Sequence, residues 1–448
     1  MIEKLKERNF KIQILKWTCI GLALRLILMP FTMHGRDLLF IHYFPMMLVK
    51  EGIWDTYSFM ASQFSSYPLG QGAVPYTYYG PVIFVVMSAA NFIFIKLLSA
   101  ISLVKLLEVG STMMFVKGME TIHYVNAFSQ LELFKNLFLM KIPYLVFDFL
   151  IGGALLALAP SRKSALISYA LWMLNIVVLH SVYAIGQVDL IPAFFVIAAL
   201  WAAVKKRAYL SVILLTLGGA TKLFPYILVL PTCLLLGRNW KDRSMLIFTS
   251  VAFLILTYLP FYLSSGTAFS GSFLMLSSVS YQGSIKWILA GVFAVFYLLL
   301  SMSAIKDSQA EKPEKSLLYY FIVIAFLSYA TIPTRFRFFV YITPLLALII
   351  PRHKWFGGFT LLIISVLAFS WLTDRDLQFG LFAPLNPVYF SNIPTIQEII
   401  ARVVNIEIIY KIMARVSILT FFIGAWWVWS IKLGNRQGPI NGLRRSDN

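Results

Sequence analysis

Apolar residues in this chain come in long continuous runs, without the two-residue alternation of a half-buried strand. The runs lie near residues 17–33, 82–104, 137–159, 165–185, 190–204, 209–221, 223–236, 244–264, 286–305, 317–332, 338–350, 355–372 and 414–431. About 20 apolar residues in a helix cross about 30 Å of hydrocarbon. Inside lipid only helices and closed barrels satisfy every backbone polar group, and runs that do not alternate select helices. The pattern predicts an all-α polytopic transmembrane bundle of about 11–14 spans. We treat residues 1–448 as one transmembrane domain, because no stretch reads as a soluble domain and no internal repeat is visible.

Two long polar stretches interrupt the runs. Residues 34–80 hold Pro68, Pro75 and the run Tyr76-Thr77-Tyr78-Tyr79. They are too many for a tight turn and too aromatic for a linker, so short interfacial helices fit best. A loop of that length in a compact protein usually carries function. Residues 374–413 form the second such loop.

Charge sorts the turns into two sets. Arg162/Lys163, Lys205/Lys206/Arg207, Arg238/Lys241/Arg243, Lys306/Lys312/Lys315, Arg352/Lys354 and the tail with Lys432, Arg436, Arg444 and Arg445 alternate along the chain, and the basic N-terminus joins them. By the positive-inside rule these are cytoplasmic. The other face receives loop 34–80, the turns Gln187–Asp189, Thr221–Pro225 and Thr334–Arg337, loop 265–285 and loop 374–413. For the parity to hold, segment 82–136 must hold an even number of crossings. A hairpin of 82–98 and 99–116 or a re-entrant segment would supply them, although Lys105, Glu108 and Lys117 sit awkwardly in the second arm.

Composition agrees. Of 448 residues 59% are hydrophobic and 13% charged, against about 25% charged in soluble domains; mean hydropathy is +0.79. The net charge of +19 sits in the short loops, which argues against a nucleic-acid partner. Cys19 and Cys233 lie in separate apolar runs and suggest no disulfide framework. The first run is too long for a signal-peptide core and lacks a small-residue cleavage site, so it reads as a retained span.

Ionisable groups at membrane depth are functional candidates, since each costs about 2.5–3.5 kcal/mol to insert. The non-cytoplasmic turns collect Arg36 and Asp37 in His34-Gly35-Arg36-Asp37, Gln187 and Asp189 in Gly186-Gln187-Val188-Asp189, Lys222 ahead of Leu223-Phe224-Pro225, and Arg335 and Arg337, with Tyr341 a turn beyond. Cations with a carboxylate suggest an anionic substrate, such as a phosphate at the membrane surface, and a general base. Plainer readings stand beside these. Arg335 and Arg337 could be snorkelling anchors, Lys222 could simply pair with Asp189, and Asp37 could cap a helix starting at Leu38. Asp148, inside a run, reads first as an interhelical hydrogen-bond partner and second as catalytic. His34, His42, His123 and His180 show no metal spacing, and Glu51 and Asp55 read as solvated loop charges.

Four pieces together resemble the GT-C superfamily of integral membrane glycosyltransferases. They are Met33-His34-Gly35-Arg36-Asp37 after the first span, Gly186-Gln187-Val188-Asp189, Lys222-Leu223-Phe224-Pro225, and Lys141-Ile142-Pro143-Tyr144-Leu145-Val146-Phe147-Asp148. The set is similar to bacterial and archaeal mannosyltransferase-like members over roughly residues 20–235. The resemblance implies a polyprenyl-phosphate sugar as donor, a lipid-linked or glycan acceptor, and an active site on the extracytoplasmic face of the cell membrane. It implies Asp37 as catalytic base and Arg36, Gln187, Asp189, Lys222, Arg335, Arg337 and Tyr341 as substrate-binding residues. Single displacement would invert the anomeric carbon. Many members carry paired acidic residues in the first loop; Asp37 has no acidic neighbour within two positions, so no metal ligand is assigned, and a need for a divalent ion stays open. The other readings are a flippase of lipid-linked sugars, against which the absence of paired halves argues, and a polysaccharide polymerase or ligase.

Overall fold

The computed structural model describes residues 2–52, 56–65, 79–114, 129–275, 285–331, 336–371 and 375–436; some side chains within these, Arg36 among them, lie outside the description. Among the described residues the chain is helical and has no strand. Among these residues six helices are long and apolar enough to cross a membrane: Glu7–Phe31, Gln130–Leu158, Arg162–Ala184, Trp240–Gly266, Trp287–Asp307 and Ile406–Gly434. Five shorter apolar helices accompany them: Pro81–Leu97, Leu190–Val204, Ala208–Gly219, Tyr226–Leu236 and Trp355–Phe369. The protein is a polytopic helical bundle, as the apolar runs require.

Two kinds of helix make up the bundle. On Trp240–Met275 and Ile285–Asp307, large apolar side chains such as Phe248, Leu256, Leu263, Trp287 and Met302 stand exposed, as lipid-facing surfaces do. Leu317–Thr331 is the opposite case, since every one of its residues is buried. A helix that is apolar all round belongs inside protein or lipid. This one is enclosed by its neighbours, packing chiefly on Ile406–Arg436.

Four helices set the functional end. Helix α1 (Ile2–Phe31) merges the basic N-terminal stretch and the first span into one rod. Helix α2 (Gly35–Glu51) and helix α3 (Thr56–Ser65) are the short helices expected in the first loop. Helix α4 (Pro81–Phe92) continues through a π-helical turn to Leu97. The chain then breaks at Ser99 (φ 47°) and restarts as Ile101–Met114, where the two-armed reading of 82–116 put its division. Glu108 on this second arm meets Lys50 of α2 at 2.6 Å at the partly exposed surface, which gives its charge a partner.

Contacts sort the turns as their charges do. Every segment assigned to the non-cytoplasmic face touches another such segment or the residue at its mouth. His34 N donates to Ile185 O (3.3 Å), Gly80 N to Thr221 O (3.0 Å), and Met33 N to Leu381 O (2.9 Å). Ser58 Oγ donates to Ser265 O (3.2 Å), and Asp37 pairs with Arg337 (3.0 Å). At the basic end, Arg243 donates to Ser308 Oγ (2.7 Å), Gln309 to Arg238 O (3.0 Å), and Lys432 pairs with Asp307 (2.5 Å).

Between the ends lies a buried ion pair of Arg25 on α1 and Asp148 on Gln130–Leu158. Trp172 Nε1 (2.7 Å) and the Tyr183 hydroxyl (2.6 Å) also donate to the Asp148 carboxylate. Arg25 Nη1 donates to the carbonyls of Gly21 (2.9 Å) and Met173 (2.7 Å). Asp148 is thus the interhelical hydrogen-bond partner its place in the run suggested.

Candidate functional site

The site begins where α1 ends. The last carbonyls of a helix need donors and favour cations. Lys141, buried on the neighbouring helix Gln130–Leu158, donates to Thr32 O (2.5 Å) and to Thr32 Oγ1 (3.2 Å). The chain then turns through Met33 to His34, which caps α2 from extended backbone (φ −109°, ψ 104°). The cap is His34 and not Asp37; Asp37 sits in the first turn, where a carboxylate suits the positive end of the helix dipole. His34 Nδ1 lies 3.4 Å from the Asp37 backbone N and 3.0 Å from Asp37 Oδ2, the second contact being a hydrogen bond when Nδ1 carries the proton.

Opposite Asp37 stands Arg337, in a 3-10 helix over Phe336–Tyr341. Its Nη1 donates to Asp37 Oδ2 at 3.0 Å, closing a contact across 300 positions of sequence. Residues three apart on a 3-10 helix eclipse. Accordingly the rings of Phe338 and Tyr341 stack, with centroids 6.1 Å apart and planes at 10°. Phe224 stacks on the other side of Tyr341 (5.1 Å, 15°). Lys222 reaches from the turn after Ala208–Gly219 and lies 4.7 Å from the centre of the Phe338 ring and 5.2 Å from that of Tyr79.

Under Lys222 lies Asp189, wholly buried at the start of Leu190–Val204. Its Oδ1 accepts from the Lys222 ammonium and from the Tyr341 hydroxyl (2.5 Å). Asp189 therefore anchors Lys222, as the plainer sequence reading of that pair anticipated. Gln187 Oε1 accepts from the Tyr79 hydroxyl at 3.3 Å. Among the described residues three buried atoms of the cluster have no hydrogen-bond partner: Gln187 Nε2, Asp189 Oδ2 and Arg337 Nε.

Two glycines let these strands of chain approach. Gly186 adopts φ +94°, a Cβ there would come within 2.7 Å of Leu38 Cδ1, and its carbonyl accepts from the Tyr144 hydroxyl at 2.9 Å. At Gly80 a Cβ would come within 2.2 Å of Ala220 O, so the bond from Gly80 N to Thr221 O needs the bare backbone.

The cluster balances its charges: Asp37 and Asp189 against Arg337 and Lys222. Burial works against the charged form of Asp37, but Arg337, His34 and Lys222 outweigh it and hold its carboxyl well below the usual carboxylate range. Asp37 is ionised at any physiological pH. Burial lowers the Lys222 ammonium from its ordinary value, with Asp189 opposing the shift. Among the described residues no group of three or more His, Cys, Asp or Glu could hold a metal ion.

The structure thus brings together Asp37, Gln187, Asp189, Lys222, Arg337 and Tyr341. The Arg36 side chain and Arg335 lie outside the described residues. Sequence reasoning gave no part here to His34, Tyr79 or Phe338. The spacing of His34 three positions before Asp37, and of Tyr79 just ahead of Gly80-Pro81, were the available signals.

Fold and site define a polytopic helical membrane protein with a charge-paired polar cluster at one end of its bundle. Residues 128–351, half of the chain, match glycosyltransferase family 87. The chain belongs to that family and is a membrane glycosyltransferase. The match covers Gln187, Asp189, Lys222, Arg335, Arg337 and Tyr341 but begins after Asp37. No curated protein and no solved structure matches the chain.

Proposed function

We propose that this glycosyltransferase moves a hexose from a polyprenyl-phosphate donor to an acceptor hydroxyl on the extracytoplasmic face of the cell membrane, with inversion. The observation that carries the reading is the ion pair of Asp37 and Arg337, with Lys222 beside it, at the end of the bundle away from the basic loops. The positive-inside rule makes the basic end cytoplasmic. Asp37 accepts the proton of the acceptor hydroxyl as its oxygen attacks the anomeric carbon. The bond from that carbon to the phosphate oxygen breaks, and the electron pair stays on the lipid phosphate. Arg337 and Lys222 lie where that charge would grow. Both carboxylates of the cluster face cations, and Arg337 and Lys222 are the groups assigned to the phosphate charge. The partly exposed Asp37 and Arg337 meet substrate, with Lys222 and Gln187 behind them and Arg335 assigned to the same role from the sequence; Asp189, itself bonded by the Tyr341 hydroxyl, holds Lys222. The acceptor is a lipid-linked sugar or glycan, and mannose is the first donor sugar to test on the sequence resemblance.

The test is turnover of a radiolabelled polyprenyl-phosphate sugar by purified protein in liposomes, with the acceptor pool supplied as a membrane lipid extract. Asp37→Asn should reduce transfer by about 10²- to 10⁴-fold, the usual contribution of a general base, with unchanged expression and unfolding temperature. Near-normal transfer by that variant would refute the assignment of Asp37. Consumption of nucleotide sugars alone would refute the donor class.

A further inference from the structure

We propose that Arg337 spans the base and the leaving group: Nη1 holds Asp37 while the Nε edge of the same guanidinium takes the donor phosphate. The inference rests on the donor class proposed above. A guanidinium offers five N–H donors in a planar fork. Among the described residues its one hydrogen bond runs from Nη1 to Asp37, its carbon Cζ lies 5.4 Å from the centre of the Phe338 ring, and its buried Nε has no hydrogen-bond partner. A bonded carboxylate and an unspent edge on one planar group are what is needed to face two anions at once. The side chains of Arg337 and Asp37 are 23% and 12% exposed, so the pair opens at the surface. Lys222 cannot take this part, because Asp189, itself bonded by the Tyr341 hydroxyl, holds it from below and its ammonium has no fork.

Charge bookkeeping favours the arrangement. A phosphodiester donor arrives with one negative charge. When the acceptor hydroxyl passes its proton to Asp37, a negative charge leaves the carboxylate. When the bond between the anomeric carbon and the phosphate oxygen breaks, a negative charge appears on the phosphate. A cation touching both ends keeps its partner throughout, strengthening on one edge as it weakens on the other, which favours the transition state over the ground state. Donor binding also prepares the base. Without donor, Asp37 faces His34 on its own helix start, Arg337, Lys222 and the neutral hydroxyls of Tyr79 and Tyr144, and its carboxylate is held too acidic to take a proton readily. A phosphate on the far edge of Arg337 adds a like charge, which raises the proton affinity of Asp37.

The experiment uses the full chain in liposomes with a polyprenyl-phosphate sugar, and compares wild type, Arg337→Gln and Arg337→Lys. It reads kcat, donor KM and the pH profile of kcat/KM, which reports the free enzyme. Removing the positive charge lets the Asp37 carboxyl rise, so the acid limb of kcat/KM should climb in Arg337→Gln by about one pH unit or more, towards the ordinary carboxylate value of about 4. Donor KM should rise by about 10- to 100-fold, the scale of one hydrogen bond to a charged group. Arg337→Lys should keep the acid limb low, since a charge remains beside Asp37, yet share the rise in donor KM, since a point charge cannot face both anions. An acid limb unmoved in Arg337→Gln, or a donor KM unmoved in both variants, overturns the inference. A wild type that ignores lipid-phosphate sugars overturns the donor class and this inference with it. A wild type that uses them beside Arg337 variants of normal kinetics overturns the inference alone.

Discussion

Replacing Asp148 by alanine should destabilise the protein by about 3–5 kcal/mol, the cost of stranding one member of a buried ion pair. The structure says where the loss falls. Arg25 is fully buried, and the change removes the acceptors of its Nε and Nη2, leaving only the Gly21 and Met173 carbonyls on Nη1. The Tyr183 hydroxyl loses its carboxylate partner. Trp172 is spared in part, because its Nε1 also donates to the Asp148 backbone carbonyl at 3.2 Å, which any residue there retains. An unsatisfied neutral donor costs about 1–3 kcal/mol, so Tyr183 accounts for a minor share and the stranded guanidinium for most of the total. Asp148→Asn keeps an acceptor and the shape, and should lose about 1.5–3 kcal/mol, the worth of a charged hydrogen bond. The double change Arg25→Met with Asp148→Leu should recover most of the loss. Denaturant titration in detergent measures the stability, and transfer at a temperature where the variants stay folded measures the chemistry. A loss below about 1 kcal/mol for Asp148→Ala would refute the structural role. Transfer abolished in a fully stable Asp148→Asn would show instead that Asp148 takes part in catalysis.

Gly186→Ala should strain the backbone at φ +94° and drive a methyl against Leu38, next to Asp37, costing about 1–3 kcal/mol and slowing transfer; a melting temperature and rate equal to wild type would break the link between this turn and the base. Tyr341→Phe should cost about 1.5–3 kcal/mol for the lost bond to the Asp189 carboxylate and slow transfer less than tenfold, because Lys222 keeps its carboxylate. A loss of activity as deep as that of Asp37→Asn would assign the Tyr341 hydroxyl a direct part.

Much of this was legible in the sequence, because hydrocarbon thickness imposes run lengths and because Asp189, Lys222 and Arg337 are conspicuous among apolar neighbours. The turns grouped by charge are the turns that touch. What stayed hidden has physical causes. Lys105 and Glu108 looked awkward because the Lys50 that pairs with Glu108 is 58 positions away in the chain. Leu317–Thr331 read as one more span, since lipid and protein interior are equally apolar and composition cannot tell them apart. His34 and Tyr79 are ordinary loop residues until the bundle closes around them. The family match extends the resemblance beyond residue 235 into the segment that carries Arg335 and Arg337.

The division of the site between two stretches of chain has a consequence for how it tolerates change. The family-matched segment supplies Gln187, Asp189, Lys222 and Arg337, while the preceding segment supplies His34, Asp37 and Tyr79. Backbone bonds stitch the two together, from His34 N to Ile185 O and from Gly80 N to Thr221 O, and no substitution short of proline removes either donor. The frame is therefore insensitive to most sequence change outside the glycines that let it close. The chemistry crosses the same seam through the ion pair of Asp37 and Arg337, beside the neutral bond from the Tyr79 hydroxyl to Gln187. Substitutions at either residue should thus spare the fold and act on transfer, whereas substitutions at Gly80 or Gly186 should disturb both, because there the frame itself must open.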